Sequence, residues 1–245
     1  MKIAAIIQAR IGSKRLSGKV FLSILERPML WYMINRLKLS EAIDDIILAI
    51  PDSKPNDRLA DFAGDLSLHC FRGSEDDVLS RYYGAAVQFE SDVIVRFTSD
   101  CPLIDPRVSD RIIREHLKSA DDYTAAGISG GFPRGLDTEV FSFDTLEQVH
   151  REASQQYERE HVTPYIQEHP DLFKIKYIEA SGKLRRPDLR LTVDTKEDLK
   201  LVREIFKHLY HEDQVFYTED VIDLLDGHPE LAAINAYVRQ KGLDE

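Results

Sequence analysis

Short apolar runs of strand length alternate with amphipathic helical stretches along most of this chain. That alternation restricts it to βα units around a mainly parallel sheet, an α/β fold with helices on both faces. Ile3 to Ile7 reads as the first strand, Ile46 to Ile50 as a second ended by Pro51, and Asp92 to Phe97 as a later one. Pro28 opens a helix through Leu39, with Leu30, Met33, Ile34 and Leu37 at helical spacing. A helix over 56–63, a short strand over 66–70, a helix over 75–89 and a helix from Pro106 to about Ser119 continue the rhythm. At 245 residues and 43% hydrophobic, the chain can bury the core of one large catalytic unit spanning 1–245.

From Tyr123 the pattern changes. Gly127, Gly130, Gly131, Pro133 and Gly135 crowd nine positions, which predicts a long functional loop, a lid or an interface segment. A strand over 139–143, helices over 145–156 and 158–168 and a strand over 173–178 follow, so residues 127–180 are expected to form an inserted α+β subdomain. Arg190 to Val193 reads as another strand ending at Asp194, with Thr195 capping a helix to Tyr210. Helices over 218–226 and 229–241 complete the expected tail.

Charge is segregated. The first 25 residues hold five cations (Lys2, Arg10, Lys14, Arg15, Lys19) and no carboxylate, so they carry +5 while the other 220 carry −16 of the total −11. Four of those cations sit on a turn with Gly12, Ser13 and Gly18, directly after the first strand. Backbone N–H groups can approach an anion closely there, and four cations match the roughly four negative charges of a nucleoside triphosphate. The alternative for such a turn is a solvated connection.

Several classes are disfavoured. An overall charge of −11 argues against nucleic acid as a partner, since that binding requires cations along an extended surface. Five residues separate Gly12 from Gly18 where a P-loop has four, and Lys19 precedes Val20, so the turn is not a P-loop, and no GxGxxG follows the first strand. Cys70 and Cys101 lack ligand or disulfide spacing and read as reduced, buried thiols. The start of the chain does not read as a signal peptide, and no apolar run approaches the ~18 residues of a membrane span, so a cytoplasmic protein without a membrane partner is expected.

Ligands of open α/β sheets bind beyond the carboxyl ends of the strands. Besides the cationic turn, two expected strand ends carry carboxylates, Asp100 and Asp194. An aspartate at a strand end is commonly a turn former or a helix cap. Two of them beside a triphosphate describe a Mg²⁺ site, because Mg²⁺ is held by one or two carboxylates together with phosphate oxygens and water.

The run Arg10-x-x-Ser13-x-Arg15-x-x-x-Lys19, preceded by Gln8-Ala9, resembles the nucleotide-binding signature of sugar cytidylyltransferases, the group that includes CMP-Kdo and CMP-acylneuraminate synthetases. RGSEDDVLSRY (72–82), SDCPLIDP (99–106), GLDTEVF (135–141), REHVTPYI (159–166) and LTVDTKEDL (191–199) resemble the spore coat polysaccharide SpsF-type branch and extend the likeness over nearly the whole chain. The resemblance implies a Rossmann-like nucleotidyltransferase fold, similar to GT-A, working as a homodimer on CTP and a sugar acceptor. It implies triphosphate contacts from Arg10, Ser13, Arg15 and Lys19, further nucleotide contacts from Gln8, Ala9, Gly12 and Ser99, a place near the cytidine for Arg72 and Asp77, and Mg²⁺ on Asp100 and Asp194. Arg15, Lys19 and Asp100 would be catalytic. Arg134, Asp137, Glu139, Arg159 and His161 would line the sugar pocket or the dimer contact. Ser17 departs from the pattern, which has Pro before Gly-Lys, and frees one φ of the turn.

The reaction so implied is attack of a sugar hydroxyl on the α-phosphorus of CTP, with release of pyrophosphate and an acidic sugar as acceptor. Two alternatives stay open at this point. A nucleotide-sugar glycosyltransferase of related architecture would usually carry a DxD pair, where this chain has Ser99-Asp100-Cys101. A non-catalytic nucleotide-binding protein would not need both aspartates.

Overall fold

The computed structural model describes residues 1–12 and 15–240. Ser13 and Lys14 of the cationic turn lie outside the described residues.

The element order is β1 (Ile3–Gln8), β2 (Ser23–Ile24), β3 (Arg27–Pro28), α1 (Met29–Leu37), β4 (Asp45–Pro51), α2 (Asp57–Asp65), β5 (His69–Gly73), α3 (Val78–Gln88), β6 (Val93–Thr98) and α4 (Pro106–Lys118). It continues through β7 (Tyr123–Ala126), β8 (Thr138–Ser142), α5 (Phe143–Glu152), α6 (Gln156–His161), α7 (Pro164–Glu168), β9 (Ile175–Tyr177), α8 (Lys196–Leu209), α9 (Thr218–Gly227) and α10 (Pro229–Ala232). Seven strands form one sheet in the order β5-β4-β1-β6-β8-β7-β9, and β2 and β3 make a separate two-stranded ribbon. Within the large sheet β8 alone runs against its neighbours.

Alternation within β1 explains the layers. Ile3, Ala5 and Ile7 face a core built with Leu30, Met33, Ile34 and Leu37 of α1, Leu59 and Ala63 of α2, and Ile112 and Ile113 of α4. Ala4 and Ile6 face the opposite core, with Leu79, Tyr82 and Ala85 of α3 and Leu146 and Val149 of α5. A strand covered on both faces must be apolar throughout, which is why β1 and β4 appear in sequence as unbroken runs. A third core joins α8 and α9 to Tyr32 of α1 and to the extended segment through Leu189, Leu191 and Val193.

Five local expectations are corrected. The strand expected over 66–70 starts at His69, because Leu66 and Leu68 still donate back to Phe62 and Ala63, and Ser67 takes a left-handed φ of 54° to close α2. The helix expected from Glu75 starts at Val78, where the Asp77 side chain accepts the Ser80 N–H at 2.9 Å. Residues 190–193 are not a ladder strand: the Leu191 N–H goes to the Arg134 carbonyl and the Val193 N–H to the Asp100 carbonyl, so their bonds alternate between two loops. The expected 158–168 helix is divided into α6 and α7 at Val162, a β-branched residue at φ 73°, and the last helix ends at Ala232. The segment 127–180 is interleaved with the sheet, since β8 lies between β6 and β7 and β9 forms an edge.

Asp105 shows how the helices are tied together. Fully buried, it accepts the Arg107 N–H at 3.0 Å as the cap of α4 and the Thr218 N–H at 2.9 Å at the start of α9. Burial alone would raise its pKa, but the Arg107 guanidinium and these two amides outweigh it and hold the carboxyl below the ordinary 3.8. A depressed pKa gives stability that is present above 3.8 and lost as pH falls through the folded value. Asp105→Ala should therefore cost about 1–3 kcal/mol in urea unfolding at pH 7. The gap to the unsubstituted protein should narrow in acid; an equal gap at pH 7 and pH 3 would contradict the assignment.

Candidate active site

The loop after β1 and the loop after β6 begin side by side, because the two strands are parallel neighbours with Gln8 opposite Thr98. Gly18, at a left-handed φ of 63° that favours glycine, sends its N–H to the Ile11 carbonyl at 3.1 Å and closes the cationic turn on itself. The turn then enters a 3-10 segment at Lys19. This aims the Lys19 ammonium at three oxygens: Asp100 Oδ2 at 2.8 Å, Asp194 Oδ1 at 2.9 Å and the Val193 carbonyl at 3.0 Å. Asp194 reaches the same point because the Val193 N–H is fixed to the Asp100 carbonyl at 2.8 Å. Arg15 adds a contact to Asp194 Oδ1 at 2.8 Å.

Electrostatics follow from that geometry. Burial would push the Lys19 pKa down, but Asp100 and Asp194 outweigh it, so the ammonium is held charged above its usual 10.5. Burial likewise works against ionisation of Asp100, and Lys19 together with the Thr98 hydroxyl at 2.6 Å brings its pKa below the ordinary value. Nearby Asp137 is different: burial dominates and raises its pKa, offset only in part by the Gly135 N–H at 2.9 Å and Arg134. Cys101 is buried with its thiol pushed well up, first by burial and then by Asp100, which makes it an inert thiol.

Asp100 and Asp194 stand at one side of a cavity of about 410 Å³. Arg15, Arg134, Asp137, Glu139 and His161 also line it. The structure thus gathers these predicted residues with the two carboxylates, while Lys19 holds the carboxylates from behind. Gln8 lies at the end of β1 and accepts from Arg96 at 3.3 Å. Ala9 is buried in the core, its N–H on the Ala49 carbonyl, and Ser99 is buried in the turn after β6. Arg10 meets Glu160 at 3.8 Å on the surface, and a Glu75 oxygen lies 3.5 Å from where a side chain on Gly12 would begin.

Gln8, Ala9, Arg10, Gly12, Lys19 and Ser99 are not part of the cavity lining, and three more predicted residues also stand apart from it. Arg72, on the edge strand β5, pairs with Asp52 at 3.0 Å and Asp57 at 2.7 Å. Asp77 and Arg159, expected at the cytidine and at the sugar, pair with each other at 2.7 Å. Arg159 also donates to the His150 and Ala153 carbonyls, so it links α3 to the α5–α6 turn.

Sequence reasoning named Glu139 but missed the residues around it on the far wall. Glu139 is buried and accepts from Arg96, from the Tyr123 hydroxyl and from Thr163 Oγ1 at 2.7 Å, and Gln167 donates to the Tyr123 oxygen at 3.1 Å. Arg96, Tyr123, Thr163 and Gln167 all line the cavity. One signal was present: an arginine in the middle of the apolar strand VIVRFT needs a buried acid, and Glu139 is its register partner across β6 and β8.

A mainly parallel sheet that gathers a cationic turn and two carboxylates beside one cavity is the arrangement of a nucleotidyltransferase. Residues 4–224 match the profile of the Cytidylyltransferase family, and the chain belongs to that family. It is 43% identical over 247 residues to the uncharacterized protein MJ1063 of Methanocaldococcus jannaschii, covering 100% of this chain and 99% of that one. It is 33% identical to the spore coat polysaccharide biosynthesis protein SpsF of Bacillus subtilis, over 94% of this chain and 96% of that one. Among solved structures, a cytidylyltransferase from Leptospira borgpetersenii superposes with a TM-score of 0.89 at 31% identity, over 95% of this chain and 97% of that one.

Proposed function

We propose that this enzyme transfers CMP from CTP to a hydroxyl of an acidic sugar that serves surface polysaccharide synthesis, releasing pyrophosphate, with Mg²⁺ held by Asp100 and Asp194. The observation that carries the reading is the convergence of both aspartates on one cation, the Lys19 ammonium, at 2.8 and 2.9 Å beside the cavity. Two hard carboxylate oxygens that already share one positive charge fit magnesium, and no cluster of three or more His, Cys, Asp or Glu ligands occurs among the described residues. Such a pair suits an ion that shares its remaining positions with phosphate and water. When bound, Mg²⁺ supplies charge neutralisation to the triphosphate and polarises its oxygens.

The chain's own residues supply alignment. Arg15, which lines the cavity, neutralises the leaving pyrophosphate, and Lys19 holds the two carboxylates in place. Arg134 lines the cavity and has no salt-bridge partner among the described residues, so it is our candidate for the sugar's acid group. Arg96 is already neutralised by Glu139. Residues 127–180 supply most of this sugar side of the cavity, which gives the segment its role in the reading.

A pyrophosphate-release screen of the four nucleoside triphosphates against a panel of sugar acids tests the proposal. Release is expected with CTP, Mg²⁺ and a sugar acid together. Consumption of a sugar nucleotide without pyrophosphate would replace it with glycosyl transfer.

A further inference from the structure

Asp194 has two carboxylate oxygens with different duties. Oδ1 faces Lys19 and Arg15, whereas Oδ2 accepts Arg190 Nη2 at 2.7 Å. The same guanidinium gives Nε to Asp198 Oδ1 at 2.9 Å and Nη1 to Gln240 Oε1 at 2.7 Å. Asp198, in the first turn of α8, accepts the Asp194 and Thr195 N–H groups on its other oxygen, each at 3.0 Å, in a capping box with Thr195. Asn235 closes the network, donating to Asp198 Oδ1 at 2.8 Å and to the Arg190 carbonyl at 2.9 Å. Arg190, Asp194, Asp198 and Asn235 are all buried, with Asp198 at 0% exposure.

We infer that Arg190 is a positioning residue, held by the C-terminal segment, that presents only Oδ1 of Asp194 to the catalytic cation. This rests on the metal role proposed above for Asp194. A carboxylate free to rotate would offer either oxygen and lose its fixed distance to Asp100. Fixing Oδ2 on a planar fork removes that freedom, since a guanidinium can hold two carboxylates in one plane and an ammonium cannot. Asn235 and Gln240 lie beyond residue 224, past the part of the chain the family profile spans. The tail therefore supports Asp194 from outside the stretch the family profile spans, and Gln240 itself reaches the cavity lining.

Arg190→Lys and Gln240→Ala separate this from a merely structural role. Mn²⁺ binding is measured by electron paramagnetic resonance with CTP present and sugar absent, alongside the Mg²⁺ dependence of pyrophosphate release. For Arg190→Lys, half-saturation by metal should rise about tenfold or more, the size typical when a group supporting a metal ligand is lost. Gln240→Ala, a surface change that leaves the core intact, should raise it about threefold, as one hydrogen bond implies. Both variants should keep kcat at saturating metal within about twofold, so that added metal rescues them. Unchanged half-saturation in both variants, or a kcat that falls at every metal concentration, would overturn the positioning role while leaving the proposed reaction standing. Absence of CTP-dependent Mn²⁺ binding in the unsubstituted protein would remove both.

Discussion

Replacing Asp100 with asparagine should reduce pyrophosphate release by about 10³-fold or more, because a divalent ion at the phosphates is worth several kcal/mol and each 1.36 kcal/mol is tenfold in rate. The substitution is nearly isosteric. Thr98 can still donate to the side-chain oxygen it now meets at 2.6 Å, so the turn after β6 keeps its shape. What changes is the charge and one acceptor. The Lys19 ammonium would lose the oxygen at 2.8 Å and keep Asp194 and the Val193 carbonyl. Circular dichroism and thermal unfolding should therefore report a folded protein while turnover collapses. Near-normal turnover in Asp100→Asn would exclude Asp100 from the reaction, whatever the variant's stability.

How much of this site the sequence carried depends on whether a position is set by local pattern or by long-range partners. The meeting of Lys19 and Asp100 was legible because each lies on the loop that follows a parallel strand, and neighbouring parallel strands deliver their loops to one edge. Asp194 was anticipated for a weaker reason. It was expected at the end of a ladder strand, yet it arrives on an extended segment that borrows bonds from the Arg134 and Asp100 loops. Arg72 was assigned to the nucleotide by its motif; the structure places it on the edge strand β5, outside the cavity, with Asp52 and Asp57 on its guanidinium. The Asp77–Arg159 pair spans 82 residues, and no local spacing announces it. Arg190 was invisible as a site residue because its partners Asn235 and Gln240 become neighbours only once the tail folds back.

The buried pair on the far wall gives the largest expected effect on stability. Glu139→Ala would strip the acceptor from Arg96, Tyr123 and Thr163 together. Burial works against the Arg96 charge, and Glu139 more than compensates, so the guanidinium stays ionised and would be left without its counterion. Removing one partner of such a pair costs about 3–5 kcal/mol, which at roughly 2–4 °C per kcal/mol for a chain of this size lowers Tm by about 6–20 °C. Replacing both partners, Arg96→Met with Glu139→Leu, should recover most of that loss, since two apolar groups of similar volume leave no orphaned charge. The double variant then separates stability from recognition: its KM for the sugar should rise while its KM for CTP stays within about twofold, because in the proposed reaction this wall receives the sugar. A Glu139→Ala protein that melts with the unsubstituted one, or a double variant as unstable as the single, would mean that the Arg96–Glu139 pair does not hold this wall together.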